Sequence, residues 1–174
     1  MKVGMALKEL FKGLTIDGVS VQFHFGDQKE LNMWIASKMK SNKQKYPLIW
    51  YVIANPEPQG NGKLRVDTQL ILFQGTKSEI FNTERYEKTY LTYLEPLYEE
   101  VNSILQLNKF VSLFDAYNGI RYKDEPNYGL ESSSLDFTNL PTASKQKSVT
   151  IDIVDAKILR LKMDINPNCI INNN

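Results

Sequence analysis

The chain has 174 residues, 42% of them hydrophobic and 11% aromatic, which is the size of one domain and too apolar for a disordered chain. Twenty-one Lys and Arg against twenty Asp and Glu leave a formal charge of +1, so no global field selects nucleic acid or cations, and no apolar run reaches the roughly 20 residues that span a bilayer. Single copies of Cys169 and His24 exclude an intrachain disulfide, a cysteine-cluster zinc site and most histidine-rich metal sites. The amino end, charged every three or four residues as far as Gly13, has no signal-peptide pattern, and synthesis in the cytoplasm is expected. Lysine outnumbers arginine 17 to four (Arg65, Arg85, Arg121, Arg160), the skew that AT-rich codons produce.

Met5, Leu7, Leu10, Phe11 and Leu14 are spaced for one face of a short helix, with Gly13 and Gly18 placed to break it. Val19, Val21, Phe23 and Phe25 then alternate with Ser20, Gln22 and His24, a period of two that predicts a half-buried strand ending at Gly26, with His24 on its polar face. Asp27 followed by Glu30 reads as a capping box. Leu31, Trp34, Ile35 and Met39 continue a helical face toward the lysine-rich stretch around Ser41. Residues 46–54, almost continuously apolar, predict a strand buried on both faces at the sheet centre, with Pro47 tolerated only near its start. Turn formers fill 55–62, and Leu64, Val66, Thr68, Leu70 and Leu72 resume strict alternation, so a long hairpin is expected.

From Thr83 the period changes. Tyr86, Tyr90, Leu94, Leu97, Tyr98, Val101, Ile104 and Leu105 form one stripe over about six turns, capped by Asn82 or Thr83, with Glu84 and Glu87 at the positive end of the helix dipole. Pro96 inside this stretch predicts a kink near 92–95. Residues 116–148 show no sustained period and are expected to form a long irregular arm. Val149, Ile151 and Ile153, then Leu159, Leu161, Met163 and Ile165, alternate again, but Asp155 and Lys157 fall on the apolar face, which predicts a bulge or tight hairpin there. The expected fold is α+β, a mixed and mainly antiparallel sheet with helices packed on one face. A single domain of 1–174 would have its core at about 1–115 and 149–165, an arm at 116–148 and a tail at 166–174.

Signals of chemistry are few. Asp155-Ala156-Lys157 has the carboxylate-x-lysine form by which Mg²⁺-dependent nucleases hold a metal beside a charge, but it needs a partner carboxylate such as Asp67 or Glu30. Short motifs of this kind arise by chance in a chain with 24% charged residues. Gly60-Asn61-Gly62-Lys63 lacks the spacing of a phosphate loop and reads as a hairpin turn; Cys169 reads as a free thiol. Lys38, Lys40, Lys43 and Lys45 read as a solvated helix terminus. No catalytic residue, cofactor or metal site is assigned. Tyrosine joins an apolar ring to a wet hydroxyl, and in the stripe Tyr86, Tyr90, Tyr93, Tyr98 the residue off the apolar face, Tyr93, reads as contact surface.

Tyr46-Pro47-Leu48-Ile49-Trp50, following a capped helix and a lysine-rich turn, and Thr83-Glu84-Arg85-Tyr86-Glu87-Lys88, running into Leu94-Glu95-Pro96-Leu97-Tyr98-Glu99-Glu100, resemble small tail-completion or tail-terminator proteins of tailed bacteriophages, particularly AT-rich phages of the Bacteroidetes. The resemblance covers roughly 19–107 and rests on packing motifs. It implies a virion subunit, made in the host cytoplasm, that joins copies of itself in a homo-oligomeric ring at the neck or upper tail. Its neighbours would be portal, neck or tail proteins, and genome DNA would pass through the lumen without sequence-specific binding. No reaction and no membrane are implied. The expected contact residues are Tyr93, Tyr117, Tyr122, Tyr128, Leu135 and Phe137, several of them on the arm. Two alternatives come from other classes: a Mg²⁺-dependent nuclease using Asp155 and Lys157, and a monomeric adaptor that binds one protein partner.

Overall fold

A computed structural model describes residues 1–36, 45–77, 80–116, 119–128 and 153–172. The first helix, α1 (Lys2–Leu10), buries Val3, Ala6 and Leu7; of the face read from the sequence, Leu7 and Phe11 are buried and Leu10 and Leu14 half-buried, but Met5 is 48% exposed because the buried stripe runs through Val3 and Ala6 instead. The predicted strand from Val19 to Phe25 is divided. Val19–Ser20 (β2) turns back on Thr15–Ile16 (β1) through Asp17 and Gly18, both at positive φ, the pairing that two-residue hairpins favour; Gln22–Gly26 (β3) joins the main sheet. Gly18 is thus a hairpin residue rather than a helix breaker.

The main sheet has the order β3-β4-β6-β9-β7, where β7 is Val111–Leu113, with β5 (Glu57–Pro58) on β6 and β8 (Tyr122–Glu125) beside β7 on β9. Strands β3 and β4 (Leu48–Val52) are parallel and every other pair is antiparallel, so the α+β class with a mixed, mainly antiparallel sheet is observed. Strand β4 is interior. The middle of the sheet, however, is the long pair β6 (Leu64–Gly75) and β9 (Val154–Ile165), in register from Leu64↔Ile165 to Gly75↔Val154. The turn before β6 carries Gly60, Asn61 and Gly62 at positive φ, and Lys63 N–H donates to the Gly60 carbonyl at 2.9 Å. That is a hairpin turn, as predicted.

Alternation sorts the core into two clusters. Ile49, Tyr51, Leu70, Leu72, Leu159, Leu161, Met163 and Ile165 face α1 and the long helix, whereas Leu48, Trp50, Ile71, Phe73, Val154 and Ala156 face Leu31 and Ile35 of α2 (Gln28–Ala36). The expectation that helices pack on one face therefore fails for α2. A central strand that is apolar on both sides must bury both faces, and one layer of helices leaves the second face wet. The capping box at the start of α2 forms as read: Glu30 N–H donates to Asp27 Oδ1 at 2.8 Å and Asp27 N–H to Glu30 Oε2 at 2.9 Å. Gly26 just before it permits this approach, since a Cβ there would lie 2.8 Å from Trp50 Cζ2.

The long helix begins as α3 (Asn82–Arg85), widens to a π-helical stretch over Tyr86–Leu94 and continues as α4 (Glu95–Leu107). Its N-cap is Phe81, without a side-chain cap hydrogen bond, rather than Asn82 or Thr83. Where a kink is expected, near 92–95, the backbone stays helical at Leu94 (φ −75°, ψ −36°) and Glu95 (φ −67°, ψ −52°), and the turns ahead of Pro96 are π-helical. Proline withholds the N–H that the carbonyl of Thr92 would accept and crowds that carbonyl, and a wider turn relieves both.

Three boundaries differ from the sequence reading. The segment assigned to the arm enters the fold at its start: Ile120 is buried and β8 pairs with β9 from Tyr122↔Leu159 to Glu125↔Ala156. The remainder, 129–148, lies outside the described residues. The expected tail is a helix, α5 (Pro167–Asn172), which packs on α1 and buries Ile170. Finally, β9 runs unbroken through Asp155 and Lys157 with neither bulge nor hairpin, because both charges have partners on the helix side. Residues 149–152 lie outside the described residues. Among the described residues no helix is long and apolar enough to cross a membrane.

Candidate functional site

The charges that break the apolar pattern of β9 lie beneath the long helix. Lys157, with no exposed side-chain surface, donates to Asp124 Oδ1 of β8 at 2.8 Å and to Glu95 Oε1 of α4 at 3.0 Å. Its ammonium also lies 3.4 Å from the Tyr122 ring centroid and 5.6 Å from that of Tyr98. These two rings meet edge to face at 4.8 Å. Two residues back along β9, the fully buried Asp155 faces Arg85 of α3, itself 4% exposed, at 3.6 Å, and accepts the backbone N–H of Asn127 at 2.9 Å. Arg85 also donates to the carbonyl of Lys77 at 3.4 Å. Two cation-carboxylate groupings therefore tie helix, β8 and β9 together. Burial pushes the Tyr90 hydroxyl to a higher pKa, and the nearby Asp155 carboxylate adds to that shift.

The fold does not bring the carboxylates offered for the nuclease reading to Asp155 and Lys157. Asp67, offered as partner carboxylate, is exposed and pairs in register with Lys162 on the sheet face opposite to Asp155. Glu30 is engaged in the α2 cap. Among the described residues no group of three or more His, Cys, Asp or Glu is disposed to hold a metal ion.

His24 is not on a solvated face. Its ring is half-buried, 3.9 Å between centroids from Trp34 of α2, and burial followed by the charge of Lys8 lowers its pKa. Lys45 donates to the Ile35 carbonyl at 2.9 Å in the last turn of α2, the helix-terminus role read for it; Lys38, Lys40 and Lys43 lie outside the described residues. Cys169 is half-buried in α5, its backbone N–H donating to Asn166 Oδ1 at 3.3 Å.

The expected contact tyrosines are dispersed. Tyr93 is half-buried, packs on the helix-side core and lines an open cavity with Tyr46, Lys77 and Lys88. Tyr122 is 46% exposed, with its ring holding Lys157. Tyr128 belongs to the opposite face, where it meets the Phe73 ring at 5.0 Å and its hydroxyl accepts from Gln28 Nε2 at 3.0 Å. Both contacts tie it to the α2 side of the fold. Tyr117, Leu135 and Phe137 lie outside the described residues.

Sequence periodicity missed a group of apolar side chains that face solvent at the start of the long helix. Phe81 is 82% exposed, Tyr86 51% and Leu91 49%. Tyr86 and Leu91 both lie in the π-helical stretch, five residues apart, which is close to one turn of about four and a half residues but about 140° on an α-helix, so a search at the α period separates them; Phe81 precedes the helix in extended backbone. A second exposed surface is charged. On the half of the β6–β9 face beyond α2, Arg160 and Lys162 lie with Arg121 and Asp67 around a cavity of about 250 Å³. Next to it Arg65 makes a forked pair with Asp164 at 2.9 and 3.0 Å, which holds that carboxyl below its usual pKa.

No family model and no curated protein matches the chain.

Proposed function

We propose that this chain is a structural subunit of a tailed bacteriophage, assembling with its own copies into a ring at the neck or upper tail and carrying out no catalysis. The observation that carries this reading is the division of its side chains. The charges that resemble a reaction centre, Asp155 and Lys157, are fully buried and engaged in holding a helix on a sheet, while Phe81, Tyr86 and Leu91 stand in water along the helix edge. Large exposed apolar and aromatic side chains mark contact surfaces rather than reaction centres. A formal charge of +1 raises little repulsion between copies, so a second copy is the occupant this surface fits. Head-to-tail contacts between identical subunits close into a ring when their rotation closes. Portal, neck or tail proteins would then be neighbours, with DNA passing through the lumen without base-specific contact.

Native mass spectrometry of the purified chain tests the reading. A closed oligomer is expected, and the paired change Phe81→Ser with Tyr86→Ser is expected to return it to monomer without lowering the melting temperature. A wild-type chain that stays monomeric at all concentrations, or a purified chain that cleaves DNA with Mg²⁺ and loses that activity in Asp155→Ala, would overturn it.

A further inference from the structure

The pair between Arg85 and Asp155 is incomplete. At 3.6 Å its closest atoms, Arg85 Nη1 and Asp155 Oδ1, are beyond hydrogen-bond distance, and both residues are nearly or wholly removed from solvent. Among the described residues, Arg85 Nε and Asp155 Oδ2 are buried and find no hydrogen-bond partner; the same holds for the hydroxyl of Tyr90, which is 5% exposed, and for Asn127 Oδ1. Leaving one such group unsatisfied costs on the order of 1 to 3 kcal/mol, more when it is charged, so four around one ion pair are not sustained by protein atoms alone.

The groups converge for a geometric reason. Arg85 and Tyr90 are five residues apart, which places them about 140° apart on an α-helix but within about 50° at the π-helical spacing, so widening after Arg85 turns both toward β9. There Asp155 lies on the same sheet face, and Asn127 is tied to it by the hydrogen bond from its backbone N–H. Arg85 Nε supplies a donor, Asp155 Oδ2 and Asn127 Oδ1 supply acceptors, and the Tyr90 hydroxyl supplies either. Two donors and two acceptors in one molecule match that set, and a water is stably held by two to four such partners.

We infer a buried hydration site at this joint: an ordered water that accepts from Arg85 Nε, donates to Asp155 Oδ2 and bonds the Tyr90 hydroxyl, completing the ion pair that fastens the π-helical stretch to β9. This goes beyond the assembly reading and does not depend on it, since the site is internal to one copy.

Diffraction from crystals of the full chain at a resolution that shows ordered solvent is expected to reveal a water within about 3.2 Å of both Arg85 Nε and Asp155 Oδ2. Oxygen-17 magnetic relaxation dispersion on the wild-type chain is expected to detect a long-lived internal water. In Tyr90→Phe, which keeps the ring and removes one partner, its residence time should shorten about tenfold, the worth of one hydrogen bond. Should Tyr90→Phe fail to fold, the wild-type measurements decide alone. A direct bond from Arg85 Nε to Asp155 Oδ2 with no density between them, density with the scattering of a metal ion, or an unchanged residence time in Tyr90→Phe would overturn the inference.

Discussion

The ammonium of Lys157 lies 3.4 Å from the centroid of the Tyr122 ring, at the end of a side chain that no solvent reaches. A buried ammonium is tolerable only with close negative partners, and Glu95 and Asp124 supply them from two different elements. Burial pulls its pKa down, but the hydrogen bonds to Asp124 and Glu95 outweigh it and hold the group above its ordinary 10.5. Because the folded value is the higher one, the stabilisation is fully present below about pH 10.4, where the unfolded lysine titrates, and is lost as pH rises through the folded value. Lys157→Met should cost about 1.5 to 3 kcal/mol in denaturant melts at pH 7. The gap from wild type should hold to about pH 10 and narrow above it; a gap that widens there would contradict the pairing.

Arg85 and Asp155 carry the larger cost. With Asp155 fully buried, Arg85→Met leaves an uncompensated carboxylate in the core, a change worth about 3 to 5 kcal/mol. Removing both charges with Arg85→Met and Asp155→Leu should cost clearly less than the sum of the single changes, because neither charge is then stranded. Additive losses in urea melts would show that the two side chains do not interact.

The elements read correctly are those whose burial follows a local period. Alternation from Leu64, the apolar block ending in β4 and the Asp27–Glu30 box each state within a few residues what the fold does with them. What escaped depends on distant partners. Asp155 and Lys157 look like faults in β9 until Arg85, Glu95 and Asp124 are beside them, and no local pattern supplies those. Tyr-Lys-Asp-Glu in β8 has no apolar alternation because it is an exposed edge strand, specified by its neighbour β9. The α5 helix did have a local sign. Asn166 before Pro167 is an N-cap with proline at the first helical position, and Asn166 Oδ1 accepts the Cys169 N–H. The exposed Tyr86 and Leu91 were hidden by the assumption of an α-helical period through a π-helical stretch.

His24 is the chain's single histidine, so its ring resonances report one titration without ambiguity. Burial, then Lys8, depresses its pKa below 6.5. A depressed folded value means that the neutral ring's contribution is present above about pH 6.5 and is lost as pH falls through the folded value. Stability should therefore decline from pH 7 toward pH 5, and His24→Leu, which keeps an apolar contact for Trp34, should flatten that decline. An NMR midpoint at or above 6.5 would show that the ring is more solvated than its close contact with Trp34 implies.

Trp50 tests the second face of the sheet. It is 3% exposed, lies on the interior strand β4, and shares the second core cluster with Leu31 and Ile35 of α2 and with Leu48, Ile71 and Phe73. Trp50→Ala should cost about 3 to 5 kcal/mol, the usual loss for deleting a large buried aromatic, and should accelerate amide exchange in α2 more than in α4. The indole Nε1 is buried and finds no hydrogen-bond partner among the described residues, so Trp50→Phe removes an unsatisfied donor along with part of the ring. Its two effects oppose each other, and the net loss should stay within about 1.5 kcal/mol. Equal losses in Trp50→Phe and Trp50→Ala would mean that the indole N–H is bonded and that the fit around it, rather than burial alone, holds α2 in place.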